Sequence, residues 1–170
     1  MATTLHSFID IFDTTFGEGP EAVQLKTIII PIIQRDYAQG RKGSDVTRVR
    51  GRFLESLYKA VTEKPITLDF VCGDIDDEGN MTPLDGQQRL TTLFLLHWYA
   101  AKKSNISEEN YEFLKKFSYE TRYSARYFCI DLVDYKPEFK TAISKEIVNQ
   151  AWVPLDWEND PTISSMLVMR

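Results

Sequence analysis

Between Met81 and Lys103 the apolar pattern changes its period, and that change constrains the chain more than any other feature. Leu68 to Ile75 alternates as a strand does, and a second short strand reads around Met81 to Leu84. The turn Asp76-Asp77-Glu78-Gly79-Asn80 lies between them, which predicts a hairpin. From Leu90 to about Lys103 the intervals become three and four, with Leu90, Leu93, Phe94, His97, Ala100 and Ala101 on one face of a helix. The junction is Asp85-Gly86-Gln87-Gln88-Arg89: a strand that feeds a helix through a single glycine.

The flanking segments repeat this mixture. Leu25 to Ile33 is rich in β-branched residues and reads as a strand, with Pro31 at an edge or strand end. Val46, Val49, Phe53, Leu54, Leu57 and Val61 recur at helical spacing, which predicts a helix to Thr62 capped by Ser44 or Asp45. The N-terminal residues Phe8, Ile9, Phe12 and Phe16 suggest a short helix before the turn Gly17-Glu18-Gly19-Pro20. Beyond Ser104 the pattern is helical, over Tyr111 to Phe117, Thr121 to Val133 and Lys136 to Val148. Strands confined to 25–85 give the class α+β, a small mixed sheet with flanking helices. The expected division is a core at 1–103 and a helical extension at 104–170. Asp160-Pro161-Thr162 is a strong helix start, with an Asp cap and proline at the first helical position. The apolar face that begins there runs barely two turns to Arg170, so the extension is expected to be truncated at its C-terminal end, in a fragment of a longer protein.

Composition removes several classes. With 43% apolar and 26% charged residues in 170, the chain can bury a core without disulfide or metal. Cys72 and Cys129 lack a partner motif and suit a reducing, cytoplasmic setting; Cys72, in a strand, is expected to be buried and inert. The start, Met1 to Phe16, has no Lys or Arg and does not read as a signal peptide. Leu93 to Ala101 falls far short of the roughly 20 apolar residues a membrane span requires, so no membrane partner is expected. His6 and His97 alone cannot build a multi-histidine metal centre, and His97 reads as a core or boundary residue. Trp98, Trp152 and Trp157 read as packing anchors.

Four groups of residues carry chemical possibilities. At the 85–89 junction Gly86 permits positive φ or close approach of a ligand. The helix that follows offers free N–H groups and a dipole that favours an anion. Gln87 and Gln88 add neutral donors, and Arg89 a planar fork suited to phosphate. The same residues read equally well as a turn glycine, with Asp85 capping the helix and Arg89 pairing with Asp85 at the surface. Upstream, Gln34-Arg35-Asp36-Tyr37 could aim a second guanidinium and a stacking ring at the same ligand, though an ordinary loop is the plainer reading. Between Gln34 and Phe53, Arg35, Arg41, Lys42, Arg48, Arg50 and Arg52 stand against only Asp36 and Asp45, in a chain of net charge −5. That segregation makes either a phosphate-backbone footprint, with Arg41, Lys42, Arg48 and Arg52 as the DNA-binding candidates, or a solvated helix face. Asp74, Asp76, Glu78, Gly79 and Asp85 fit five positions of a calcium-loop template, but the flanking strands favour a hairpin turn.

Asp85-Gly86-Gln87-Gln88-Arg89-Leu90-Thr91-Thr92-Leu93 resembles the DGQQRLTTL signature of the N-terminal domain of GmrSD-type, modification-dependent restriction proteins. Ile30-Pro31 with Gln34-Arg35 and Tyr37 resembles that family's upstream IPxxQRxY box. Phe117-Ser118-Tyr119-Glu120-Thr121-Arg122 and Asp160-Pro161-Thr162-Ile163 with Met166-Leu167 are similar to its later motifs. The resemblance implies a ParB/sulfiredoxin-like core whose DGQQR turn binds or hydrolyses a nucleoside triphosphate, with Mg2+ as its companion ion. Carried over, Gln34 and Arg35 line the pocket beside Tyr37, while Gln87, Gln88 and Arg89 contact phosphate. Asp85 orients a metal ion or attacking water, which makes Asp85 and Arg89 the catalytic pair. The resemblance also implies phage defence, with modified DNA as a partner and a nuclease domain supplied in cis or in trans. No residue here resembles that nuclease's histidine motif, so DNA cleavage is not expected of this chain alone, and oligomer formation stays open. The alternatives are a non-catalytic DNA-binding module that uses the basic 35–52 stretch and a scaffold for protein partners.

Overall fold

The computed structural model describes residues 4–31, 43–120 and 123–168. Two short strands, β1 (Thr15–Phe16) and β2 (Val23–Gln24), form an antiparallel ribbon ahead of the main sheet. That sheet consists of β3 (Thr27–Ile30), β4 (Cys72–Ile75), β5 (Asn80–Asp85) and β6 (Phe117–Tyr119), in the order β4-β5-β3-β6. β3 runs parallel to both β5 and β6, and β4 pairs antiparallel with β5. Helices α1 (Ser44–Thr62), α2 (Gln87–Lys103), α3 (Tyr123–Asp134), α4 (Ile143–Val148) and α5 (Pro161–Val168) complete an α+β fold with a mixed sheet.

The order of the strands sets up the site. β5 joins one side of β3, and the chain then passes through α2 to place β6 on the other side. The strand order therefore reverses at β3, and the carboxyl ends of β3, β5 and β6 share one edge. In open α/β sheets the crevice at such an edge is where ligands bind. α2 starts there, two residues after β5.

Aromatic burial holds α2 in place. Phe94 stacks on Phe117 of β6 at 4.8 Å, and both are fully buried. Trp98 donates its indole N–H to the Leu132 carbonyl of α3 at 2.6 Å, which satisfies its one buried polar atom. Each buried aromatic or leucine on this face stabilises by about 2–3 kcal/mol. The helix lies between the sheet and α3, so its buried set is Leu90, Thr91, Thr92, Phe94, Leu95, Trp98 and Ala101. This corrects the expected face: Leu93 and His97 are only half-buried, and Ala100 is exposed. A helix covered from two directions does not follow a single stripe.

Strands also extend beyond the expected 25–85. β1 and β2 precede that window, and β6 follows it as an alternating triplet, Phe117 and Tyr119 inward, paired to β3. The sheet and the core thus draw on both sides of the Lys103–Ser104 junction. Residues 111–117, expected as one helix, form a 3-10 turn over Glu112–Lys116 and then enter β6. Of 136–148 only Ile143–Val148 is helical. The Glu146 carboxylate accepts N–H bonds from Glu138, Phe139 and Thr141 and so holds the preceding segment in a loop. Those bonds, the Thr141 one foremost, keep its carboxyl below the usual range.

Other expectations meet mixed outcomes. The hairpin forms with Ile75 opposite Met81. Asp160 caps α5 as expected, accepting N–H bonds from Thr162 at 2.8 Å and Ile163 at 3.3 Å, while Ser124 of α3 donates to its other oxygen. α1 matches its predicted span, but Gly43 stands at the N-cap rather than Ser44 or Asp45, and none of its residues is buried. Cys72 is exposed, not buried, because it opens β4 at the edge of the sheet; Cys129 is buried, which pushes its thiol well above the usual range. No described helix is long and apolar enough to cross a membrane.

His97 sits between the rings of Phe8 and Phe113 and donates Nδ1–H to the Leu93 carbonyl at 2.7 Å. Burial pulls its pKa below the ordinary 6.5, and the Leu93 bond opposes this only in part. As pH falls, the unfolded chain takes the proton first. Stability present above about pH 6.5 is therefore lost as pH drops through that value toward the lower folded pKa. Urea midpoints measured from pH 8 to pH 5 should fall more steeply for the native chain than for His97→Gln.

Candidate phosphate-binding turn

β5 ends at Asp85, and Gly86 turns the chain with φ of +89° and ψ of 0°. L side chains rarely adopt that conformation, and the space is also closed: a Cβ at Gly86 would lie 2.7 Å from Cγ2 of Val71. Gly86 is thereby the N-cap of α2, accepting the first helical bond from Leu90 N–H at 2.9 Å. It has no side chain with which to satisfy the N–H groups of the first turn. This corrects the reading in which Asp85 caps the helix: Asp85 is the last residue of the strand.

Arg89 folds back over the strand side of the turn. Its Nη2 donates to the Phe70 carbonyl at 2.6 Å and lies 3.5 Å from Asp85 Oδ2, while Nη1 is 3.9 Å from Asp69 Oδ2. The Arg89 side chain is 24% exposed, against 63% for Asp85 and 88% for Asp69. The pairing of Arg89 with Asp85 is thus present, though long, and the stronger anchor is a main-chain carbonyl that no residue pattern announces. Among the described residues, two buried atoms at the turn have no partner: Arg89 Nε, a donor, and Gln87 Oε1, an acceptor. Buried polar atoms are nearly always satisfied, so an open donor and an open acceptor within three residues of one turn set it apart from the rest of the described core.

The turn is tied to the sheet by residues to which the sequence alone assigns no role. Thr91 Oγ1 donates to the Gln87 carbonyl and meets the Tyr119 hydroxyl at 2.7 Å; Thr92 Oγ1 donates to the Gln88 carbonyl. Two successive threonines on the buried face of a helix are poor helix formers, which was the available signal.

The remaining candidates separate. Gln34, Arg35, Tyr37, Arg41 and Lys42 lie outside the described residues. Arg48 and Arg52 are exposed on α1, Arg48 paired with Asp45 at 3.0 Å. Arg50 borders a cleft of about 490 Å³ with Leu54, Ser144, Glu158, Ser164 and Leu167, and that lining includes none of residues 85–89. The acidic hairpin is a turn: Asp76 accepts a side-chain bond from Asn80 and N–H bonds from Asn80 and Glu78, and these bonds, the Asn80 side chain foremost, hold its carboxyl below the usual range. Among the described residues no group of three or more His, Cys, Asp or Glu is placed to hold a metal ion. Asp85 and Asp69 flank Arg89 as the nearby carboxylates. Both face the Arg89 guanidinium, whereas Mg2+ is commonly held by one or two carboxylates with the rest of its shell from phosphate and water.

No curated protein and no solved structure matches the chain. Residues 20–167, most of its length, match the family model described as GmrSD restriction endonuclease, N-terminal domain. That span contains the whole sheet, the Gly86 turn and nearly all of α5. The chain therefore belongs to the family of N-terminal domains of GmrSD restriction endonucleases.

Proposed function

We propose that the Asp85–Arg89 turn binds the phosphates of a nucleoside triphosphate, and that the chain is the sensing and regulatory part of a modification-dependent restriction system. What supports this most is the pair of open buried atoms, Arg89 Nε and Gln87 Oε1, at an uncapped helix start on the carboxyl edge of the parallel strands. The phosphate rests on the first-turn N–H groups, and Arg89 Nε donates to it. The open Gln87 acceptor suits a hydroxyl or a bound water, since a phosphate oxygen offers no hydrogen. Asp85 would repel a bare polyphosphate, so it takes part through Mg2+. That ion would neutralise phosphate charge and align the terminal phosphoryl group. If hydrolysis occurs, Asp85 orients water and Arg89 stabilises the developing charge. Gln34, Arg35 and Tyr37, outside the described residues, are the further ligand contacts that the family resemblance implies. In the cytoplasm, occupancy of this site would gate a nuclease domain acting on modified DNA.

Calorimetric titration with each common nucleoside triphosphate in Mg2+, and with tripolyphosphate, tests the reading. Saturable binding of at least one triphosphate is expected. Absence of heat with every one of them would overturn it.

A DNA-contacting role for α1 is favoured by one observation: a 19-residue helix with no buried residue carries Arg48 and Arg52 into solvent. Removing both arginines should weaken duplex binding for all sequences and flatten the dependence of log affinity on log salt by about 2. An unchanged salt slope counts against it. Arg89→Ala should leave this binding intact.

A further inference from the structure

Two buried hydroxyls connect β6 to the start of α2. Tyr119 closes β6 at 4% exposure, and Thr91 is fully buried. Their oxygens are 2.7 Å apart. Thr91 donates its single hydrogen to the Gln87 carbonyl at 2.9 Å, so the Tyr119 hydroxyl is the donor to Thr91. Thr92 makes the same kind of bond to the Gln88 carbonyl at 2.8 Å. Glu120, next to Tyr119, donates its N–H to the Ile30 carbonyl at 2.9 Å, which ties the end of β6 to the carboxyl end of β3.

Packing does not require these hydroxyls. Valine has nearly the shape of threonine, and back-bonding threonines slightly destabilise and bend a helix. What the hydroxyls fix is direction. The carbonyl of Gln87 shares a rigid peptide plane with the N–H of Gln88, and the carbonyl of Gln88 shares one with the N–H of Arg89. Holding the carbonyls from below sets the angle at which those N–H groups leave the helix.

We infer that Thr91 and Tyr119 are positioning residues that aim the first-turn N–H groups of α2 at the bound phosphate, an inference that rests on the phosphate reading of this turn. Neither side chain touches the ligand. Tyr119 braces Thr91 against the sheet, and Thr91 holds the peptide plane that faces the anion.

The test uses tripolyphosphate as probe with the purified chain, in calorimetry and in 15N–1H NMR. Thr91→Val and Tyr119→Phe should each lower tripolyphosphate affinity about tenfold, as expected for one misdirected charge-assisted bond. Thr91→Ser, which keeps the hydroxyl, should bind within about twofold of the native chain. The amide resonances of Gln88 and Arg89 in the unliganded protein should move in Thr91→Val and hold their place in Thr91→Ser. Combining Thr91→Val with Tyr119→Phe should cost no more than either alone, because both break one relay. Native binding that survives unchanged in Thr91→Val and Tyr119→Phe overturns this inference and leaves the phosphate site standing. A native chain that binds no tripolyphosphate overturns the phosphate reading itself.

Discussion

Arg89→Ala should reduce the affinity for a nucleoside triphosphate at least hundredfold while the chain stays folded. The guanidinium supplies the fixed positive charge of the turn and the open Nε donor. Each hydrogen bond to a charged group is worth about 1.5–3 kcal/mol, and removing Arg89 removes both the bond and the charge. The cost to the fold is smaller. What is lost is the 2.6 Å bond to the Phe70 carbonyl and two long contacts to exposed carboxylates, of which the latter contribute little in water. A drop of a few degrees in melting temperature is expected, roughly what a loss of 1 kcal/mol gives in a domain of this size. Arg89→Lys tests the shape of the group: an ammonium keeps the charge but loses the fork, so it should restore binding only in part. Full affinity in Arg89→Ala would place the phosphate elsewhere.

Gly86→Ala should strike fold and site together. A side chain at φ of +89° costs about 1–2 kcal/mol. The new methyl would also press on Val71, a β-branched residue packed against the core and unable to swing aside. With overpacking added, a loss of roughly 2–4 kcal/mol is expected, read as a fall in the urea midpoint with an unchanged slope. Relief of the strain requires the 70–71 strap to move, and that strap carries the carbonyl that anchors Arg89. Phosphate affinity should therefore fall even at temperatures where the variant is fully folded. Val71→Ala should recover part of the stability lost in Gly86→Ala. Equal midpoints for the native chain and Gly86→Ala would show that the backbone at 86 does not need positive φ.

Much of this architecture is legible in the amino-acid sequence. The change of period at Asp85–Arg89 marks where strand becomes helix, and the Asp76–Asn80 turn marks the hairpin, because both are local events written in backbone chemistry. Asp160-Pro161 likewise announces the start of α5. Illegible were the features set by distant partners. β6 is three residues long and becomes a strand only because the exposed side of β3 is there to pair with it. The buried face of α2 is turned from the expected one because α3 covers it from a second side, which periodicity within one helix cannot reveal. The anchor of Arg89 is the Phe70 carbonyl, a main-chain group that carries no residue signature. The same holds for Tyr119, 28 positions from the Thr91 hydroxyl it supports.

Belonging to the GmrSD N-terminal family joins these features to restriction, and the residues explain why the turn is built as it is. Gly86 lets strand and helix meet without a capping side chain, Arg89 is braced by the main chain rather than by a committed ion pair, and the two threonines bond the Gln87 and Gln88 carbonyls.

The most direct measurement is a 15N–1H NMR titration of the chain with a nucleoside triphosphate and Mg2+, following each assigned amide. Saturating shifts concentrated at Gly86, Gln87, Gln88 and Arg89, with the Val46–Phe53 amides of α1 unmoved, are the predicted result. Shifts confined to α1, or none at the Gly86 turn at saturating ligand, would contradict it.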